Sequence, residues 1–162
     1  MTIPRWLKRS LIVVGGLVLA IQFIPVARTN PPMAKELTWD SPQTKAFAQR
    51  ACFDCHSNEV KWPWYSYVAP MSWLIANDVR DARERFNFSE ISGEDRAGIL
   101  VKLISKGEMP LPRYVALHRA AKLSETDKQE FIAGLRRSFA LSHLAPDAGK
   151  DEEHKHTHQH GP

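Results

Sequence analysis

Cys52-Phe53-Asp54-Cys55-His56 decides how the rest of this chain reads. Two thiols three positions apart, followed directly by an imidazole, meet the needs of covalent haem attachment. The sulfurs reach the two vinyl groups along one porphyrin edge, and the adjacent histidine comes up beneath the iron as proximal ligand. The chain has 2 cysteines and both lie in this motif, so neither a disulfide framework nor a four-cysteine zinc site can be built. A thioredoxin-like Cys-x-x-Cys belongs at a helix start after a strand, and no strand pattern precedes Cys52. A mixed zinc site needs a further ligand such as His118 and lacks the usual paired ligand spacings. The motif is therefore read as the attachment point of one haem c, with Cys52 and Cys55 as thioethers and His56 on the iron.

Upstream of the motif, Asp40 or Ser41 followed by Pro42 marks a helix start, and Phe47, Ala48, Ala51, Cys52 and Cys55 recur on one helical face. That helix delivers the motif. Downstream, residues 60–69 hold Trp62, Pro63, Trp64, Tyr65 and Tyr67, with too little periodicity for a regular element, and read as an aromatic loop. These rings and Trp73 would offer flat apolar surface with polar tips to a macrocycle. Pro70 opens a helix carrying Met71, Leu74, Ile75, Val79, Ala82 and Phe86 at helical spacing. Another helix is expected from Ser92, with Asp95 three residues on, turning Ile99, Leu100, Leu103 and Ile104 inward and stopping at Gly107. Two prolines then make residues 108–112 a loop. Ser124-Glu125-Thr126-Asp127 starts a last helix with Phe131, Ile132, Leu135 and Phe139 as its apolar stripe. No segment alternates like a strand and no repeat is present. The expected fold is all-α, a small cytochrome c-like helical domain around one covalent haem.

The second axial ligand has three candidates. Met109 leads, because it sits in a proline-stiffened loop 53 positions beyond His56, far enough for helices to wrap the haem and bring a thioether to its far face. Met71 falls on an apolar helical stripe, where methionine commonly fills core space. His118 would give bis-histidine ligation and could equally bond a propionate or the backbone.

The strings Cys52-Phe-Asp-Cys55-His56-Ser57-Asn58, Trp62-Pro63-Trp64-Tyr65-Ser66, Ala69-Pro70 with Trp73, Asn87-Phe88-Ser89, and Glu108-Met109-Pro110 with Tyr114 and His118 resemble the bacterial haem-binding domain family. Its members are small, membrane-anchored, single-haem cytochromes, and the likeness covers roughly residues 40–135. The resemblance implies a monohaem c-type domain in which Cys52, Cys55 and His56 hold the haem and Met109 stands at the methionine ligand. Ile91 replaces a tryptophan common in members, and Ala82-Arg83 a usual Gly-Arg.

The N-terminus carries a different signal. Residues 11–27 read LIVVGGLVLAIQFIPVA, without a charge, behind Arg5, Lys8 and Arg9. At 1.5 Å per residue such a run reaches about 25 Å, short of a ~30 Å hydrocarbon core but workable with Trp6 and Leu7 at the interface. The expectation is a single-pass inner-membrane anchor with the haem domain in the periplasm. Pro25 and Val26 make a poor signal-peptidase site after Ala27, which favours retention over cleavage. The resulting division is a transmembrane signal-anchor over residues 1–28, a linker over 29–39, the cytochrome domain over 40–144, and a disordered tail over 145–162. His154, His156, His158 and His160 in that tail read as solvated, with loose metal binding as the alternative.

Of 22 basic residues, Arg5, Lys8 and Arg9 belong to the N-terminal flank, leaving 19 against 18 acidic ones. The remainder is nearly neutral and offers no case for nucleic-acid binding. With His56 and Met109 on both axial faces the iron has no open position, so the expected role is electron transfer with unidentified redox protein partners, not enzymatic turnover. A haem-based sensor with a displaceable Met109 is the alternative. A peroxidase wants an open site and distal acid-base groups, and residues 87–114 contain no histidine.

Overall fold

The computed structural model describes residues 4–91 and 96–144, with side chains described up to residue 142. Among these residues it is all-helical. Seven α-helices run in chain order: α1 Arg5–Ile21, α2 Pro42–Ala51, α3 Phe53–His56, α4 Met71–Arg85, α5 Ala97–Ser105, α6 Pro112–Leu117 and α7 Glu125–Leu144. Short 3-10 turns occupy Trp64–Tyr67 and Arg119–Ala121. The one β-type contact among the described residues is an isolated parallel bridge between Lys35 and Glu90.

The helix starts follow their capping chemistry. Ser41 Oγ accepts from the Thr44 amide at 3.2 Å, with Pro42 in the first turn of α2, where its missing N–H costs nothing. In α7, the Asp127 amide donates to Ser124 Oγ at 3.1 Å while the Ser124 amide donates to Asp127 Oδ2 at 3.2 Å, a reciprocal capping box. The start expected at Ser92 lies outside the described residues, and the described part of that helix begins at Ala97. It ends as expected, with Gly107 at a φ of 69°.

The core forms where α2, α5 and α7 meet the loop after α4. Phe131, Ile132, Leu135 and Phe139 are all buried, as the stripe on α7 requires, and join Phe47, Ala48 and Ala51 of α2 and Ile104 of α5. Leu37, Phe53, Phe88 and Leu123 complete the cluster. Contact between α2 and α7 is close enough to need a glycine: a Cβ on Gly134 would lie 2.0 Å from Thr44 Oγ1 and 3.0 Å from Thr44 Cβ. On α4, Val79 is buried, whereas Met71 and Leu74 are 39% and 44% exposed and so are not core residues.

The expected membrane span is corrected. Among the described residues no helix is long and apolar enough to cross a membrane. Helix α1 has 17 residues, but it includes Arg5, Lys8 and Arg9, and it stops at Ile21 instead of continuing to Ala27. Its apolar part, Leu11 to Ile21, is about 16 Å long, roughly half a hydrocarbon core. Gln22 then turns toward the rest of the fold, its Oε1 accepting from the Ala69 amide at 2.9 Å. The single-pass inner-membrane placement, and the periplasmic site that depended on it, fall with the span.

The α2–α7 contact yields a direct test. Gly134→Ala is expected to lower the unfolding free energy by roughly 1–3 kcal/mol, because Thr44 must shift or the helices must separate. Urea denaturation measures it, and an unchanged midpoint would show that the helices do not approach this closely.

Candidate functional site

The motif sits at a break between two helices. Cys52 leaves the path of α2 with φ −129° and ψ −35°, yet its amide still bonds Ala48 O at 2.8 Å. One further turn, α3, follows, and the His56 amide donates to Cys52 O at 2.8 Å. This bend places Cys52, Cys55 and His56 along one wall of a cleft while Phe53 is buried behind them in the core.

His56 is fixed by a distant segment. Its Nδ1–H donates to the carbonyl of Phe86 at 2.9 Å, and its own carbonyl accepts from the Phe88 amide at 2.8 Å. Because a carbonyl can only accept, the proton is on Nδ1 and the lone pair on Nε2. Metal-ligating histidines are commonly oriented in this way. Burial holds the imidazole pKa below its usual value, which favours the neutral ligand form; bonds to backbone oppose this and the Arg85 charge adds to it.

Opposite the motif stands the loop after α5. The amides of Glu108 and Met109 both donate to Leu103 O, at 3.0 and 3.3 Å, and the Ala69–Pro70 and Met109–Pro110 peptides are cis. Two cavities lie between loop and motif. One, of about 280 Å³, is lined by Cys52, Cys55, His56 and Met109 together with Asp78, Asp81, Arg85, Arg113 and Tyr114. The other, of about 310 Å³, shares Cys52, His56, Arg85 and Met109, and apart from Arg96 the rest of its lining is apolar, with Phe86, Leu100, Leu103 and Ile104 in its walls. Thus the four residues singled out in the sequence come to one place. A smaller adjoining cavity of about 120 Å³ holds Cys55, Met71 and His118. His118 has both ring nitrogens engaged, Nε2 accepting from Tyr65 Oη at 3.0 Å and Nδ1–H donating to Tyr114 O at 3.1 Å.

Burial pushes the Cys52 thiol up to about 12, with the neighbouring Cys55 adding to it. Cys55 rises to about 11 through burial and then the charges of Asp54 and Asp78. Both are protonated thiols at neutral pH, poor thiolate nucleophiles and poor zinc ligands until deprotonated. The aromatic residues divide in an unexpected way. Tyr65 lines a cavity wall, but Trp62, Trp64, Tyr67 and Trp73 line none of the three cavities, and Trp64 is 78% exposed. Two residues that the motif reading passed over matter more: Phe86, through its carbonyl, and Asp54, which accepts from Tyr114 Oη at 2.7 Å.

The donor set fits a haem. An imidazole whose Nδ1–H is committed to a carbonyl and a thioether border the same paired cavities, two thiols stand beside the imidazole, and the walls combine apolar side chains with the arginines Arg85, Arg96 and Arg113, which suits an amphiphilic porphyrin with two carboxylates. Fold and site together define an all-helical haem protein. The haem-binding domain profile matches residues 16–137, and the chain belongs to that family. The chain is also similar to a protein named cytochrome c peroxidase Ccp, from Escherichia coli (strain K12), 24% identical over 120 residues. The match takes in 66% of this chain and 25% of that protein, so the chain spans about a quarter of the curated relative's length. No solved structure matches the chain.

The thiol chemistry is open to measurement in haem-free protein. At about pH 8, Cys55 is expected to react with iodoacetamide about a hundredfold more slowly than in urea-unfolded chain, the ratio of thiolate fractions for a pKa of about 11 against the ordinary 9.0. Because the pKa is raised, the rate should climb as pH rises toward 11. Equal rates in folded and unfolded chain, read by mass spectrometry, would refute the burial of this thiol.

Proposed function

We propose that this chain carries one haem bound covalently through Cys52 and Cys55, ligated by His56 and Met109, and that it transfers electrons between redox protein partners without catalysing a reaction of its own. The observation that carries the reading is the orientation of His56. An Nδ1–H committed to Phe86 O leaves Nε2 as the ligand atom, in a residue adjoining two cysteines and bordering the cavities that Met109 also borders.

Each side chain then has a definite task. Cys52 and Cys55 fix one edge of the group. His56 supplies a ligand made more basic by its carbonyl bond. Met109 supplies a soft thioether, which favours the ferrous state and raises the potential. The bound haem supplies a ferric–ferrous couple. Phe86, Leu100, Leu103 and Ile104 keep water from one side of it, which limits the solvent reorganisation that accompanies a change of charge.

The similarity to a protein named cytochrome c peroxidase Ccp favours a second reading, peroxide reduction at this haem. Among the described residues lining the two larger cavities, His56 is the one histidine, and its Nδ1 is committed to Phe86. A distal imidazole for proton transfer to peroxide is not among those residues. Electron transfer is the reading better supported.

Co-expression with a c-type maturation system tests the proposal. Haem should remain with the chain in denaturant, and Met109→Ala should convert a ferrous protein that resists carbon monoxide into one that binds it stoichiometrically, with a lowered midpoint potential. Release of haem in denaturant would overturn covalent attachment. A Met109→Ala protein with an unaltered native spectrum would overturn the ligand assignment, and turnover of peroxide by the unmutated chain would favour the second reading.

A further inference from the structure

We propose that Tyr114, assisted by Arg113, latches the Met109 loop onto the haem motif, so that the sixth position is closed by this bond as well as by the affinity of the thioether. The inference rests on the reading of Met109 as ligand.

The loop is tied at both ends. On its α5 side, Leu103 O accepts from the Glu108 and Met109 amides. On its other side the chain enters α6 at Pro112, and the next two residues reach back across the cavity. Tyr114 Oη donates to Asp54 Oδ2 at 2.7 Å, and Arg113 Nη2 donates to both carboxylate oxygens of Asp78 at 2.9 Å. Asp54 lies between the two cysteines, and Asp78 lies in the middle of α4. All four residues line the cavity that Met109 lines. The latch therefore joins three walls within five residues of Met109.

The two ties are unequal. Arg113 is 60% exposed and Asp78 27%, so solvent screens that pair and its contribution is small. The Tyr114–Asp54 bond is short, half-buried and made to an acceptor that is charged when ionised, which makes it the stronger member. Tyr114 is also held in position. Its ring stacks on His118 at 4.2 Å and 18°, and His118 is anchored in turn by Tyr65 Oη. Burial and the bond to Asp54 hold the phenol pKa far above its ordinary value, so the donor proton is present throughout the working range.

Tyr114 is thus a positioning residue, and Tyr114→Phe removes one hydroxyl while keeping the ring stacked on His118. In the matured holoprotein this variant is expected to retain its full haem content in denaturant. It should weaken the long-wavelength thioether-to-iron band of the ferric form and bind imidazole about tenfold faster or more, the size associated with one hydrogen bond to a charged acceptor. Adding Arg113→Ala should increase the rate only slightly further. In a Met109→Ala background, where no thioether remains to be released, Tyr114→Phe should leave imidazole binding unchanged. A Tyr114→Phe protein with a wild-type band and wild-type imidazole kinetics would overturn the latch while leaving the ligand assignment intact. If Met109→Ala itself leaves the band intact, the ligand reading fails first and the latch with it.

Discussion

The site depends on the register between the haem motif and the chain segment that follows α4. His56 contributes both its ring and its carbonyl to that register, the ring to Phe86 O at 2.9 Å and the carbonyl to the Phe88 amide at 2.8 Å. Neighbouring polar groups extend it: Asn87 Nδ2 donates to Asn58 Oδ1 at 2.9 Å, and the Asn58 amide donates to Ser89 Oγ at 3.0 Å. Each such bond contributes about 1 kcal/mol net, whereas burying Phe88 to 1% exposure contributes about 2–3 kcal/mol. The four bonds together and the burial of this one ring are therefore of comparable size. Phe88 lies 4.6 Å from Phe86, 5.5 Å from Phe53 and 5.4 Å from Trp39, centroid to centroid, and the hydrogen bonds select one alignment among those the rings would permit. Direction comes from the polar groups, and strength from polar and apolar groups alike.

The segment before α2 is drawn into the same arrangement. Arg83 Nε donates to Ser57 O, just after the histidine, while its Nη1 and Nη2 reach Thr29 O and Asn30 Oδ1. Asn30 in turn pairs with the backbone of Val60, and Asn58 Nδ2 donates to Pro32 O. Residues 29–32 accordingly run along the loop that leaves the motif, and a single α4 side chain ties both to its own helix. Cys52, Cys55 and His56 line the cleft, and the His56 carbonyl and the Ser57 carbonyl are bonded to the Phe88 amide and Arg83.

Much of the helical core was legible in sequence because its signals are local. Ser41-Pro42, Ser124 to Asp127, Gly107 and the Phe131–Phe139 stripe each act within one or two turns, and each appears where expected. Helix α6 was not legible: it has six residues, starts at a proline and buries no residue. The N-terminal run misled because composition records how apolar a stretch is and not where its helix ends. Gln22 and Pro25 are single residues in an otherwise apolar string, yet the helix stops at Ile21. The aromatic loop misled similarly, since ring content does not say which way a ring points. The site was legible as to residue type, with Cys52, Cys55, His56 and Met109 meeting at one cleft. It was illegible in its supports, because Phe86 O lies 30 positions from His56 and Tyr114 lies 60 from Asp54, and backbone carbonyls carry no sequence signature.

A methionine-ligated haem works as an electron carrier only while the thioether stays bound, and a neutral sulfur is a weak hold by itself. What resists its departure is the loss of freedom already imposed on the loop. Pro110 and Pro112 restrict two of the five positions from Glu108 to Pro112, and Leu103 O fixes the entry, so an unligated loop has few other conformations to gain. The exit is different in kind. There the constraint is a side-chain bond across the cavity, between a loop residue and a residue of the motif itself. A backbone restraint acts within the loop alone, but a bond that spans the cleft couples the loop to the very turn that carries Cys55 and His56. Movement of either wall is felt by the other. Under the proposed ligation, the contacts that keep this loop against the motif would bear, beside the choice of methionine, on whether the site is closed to small ligands.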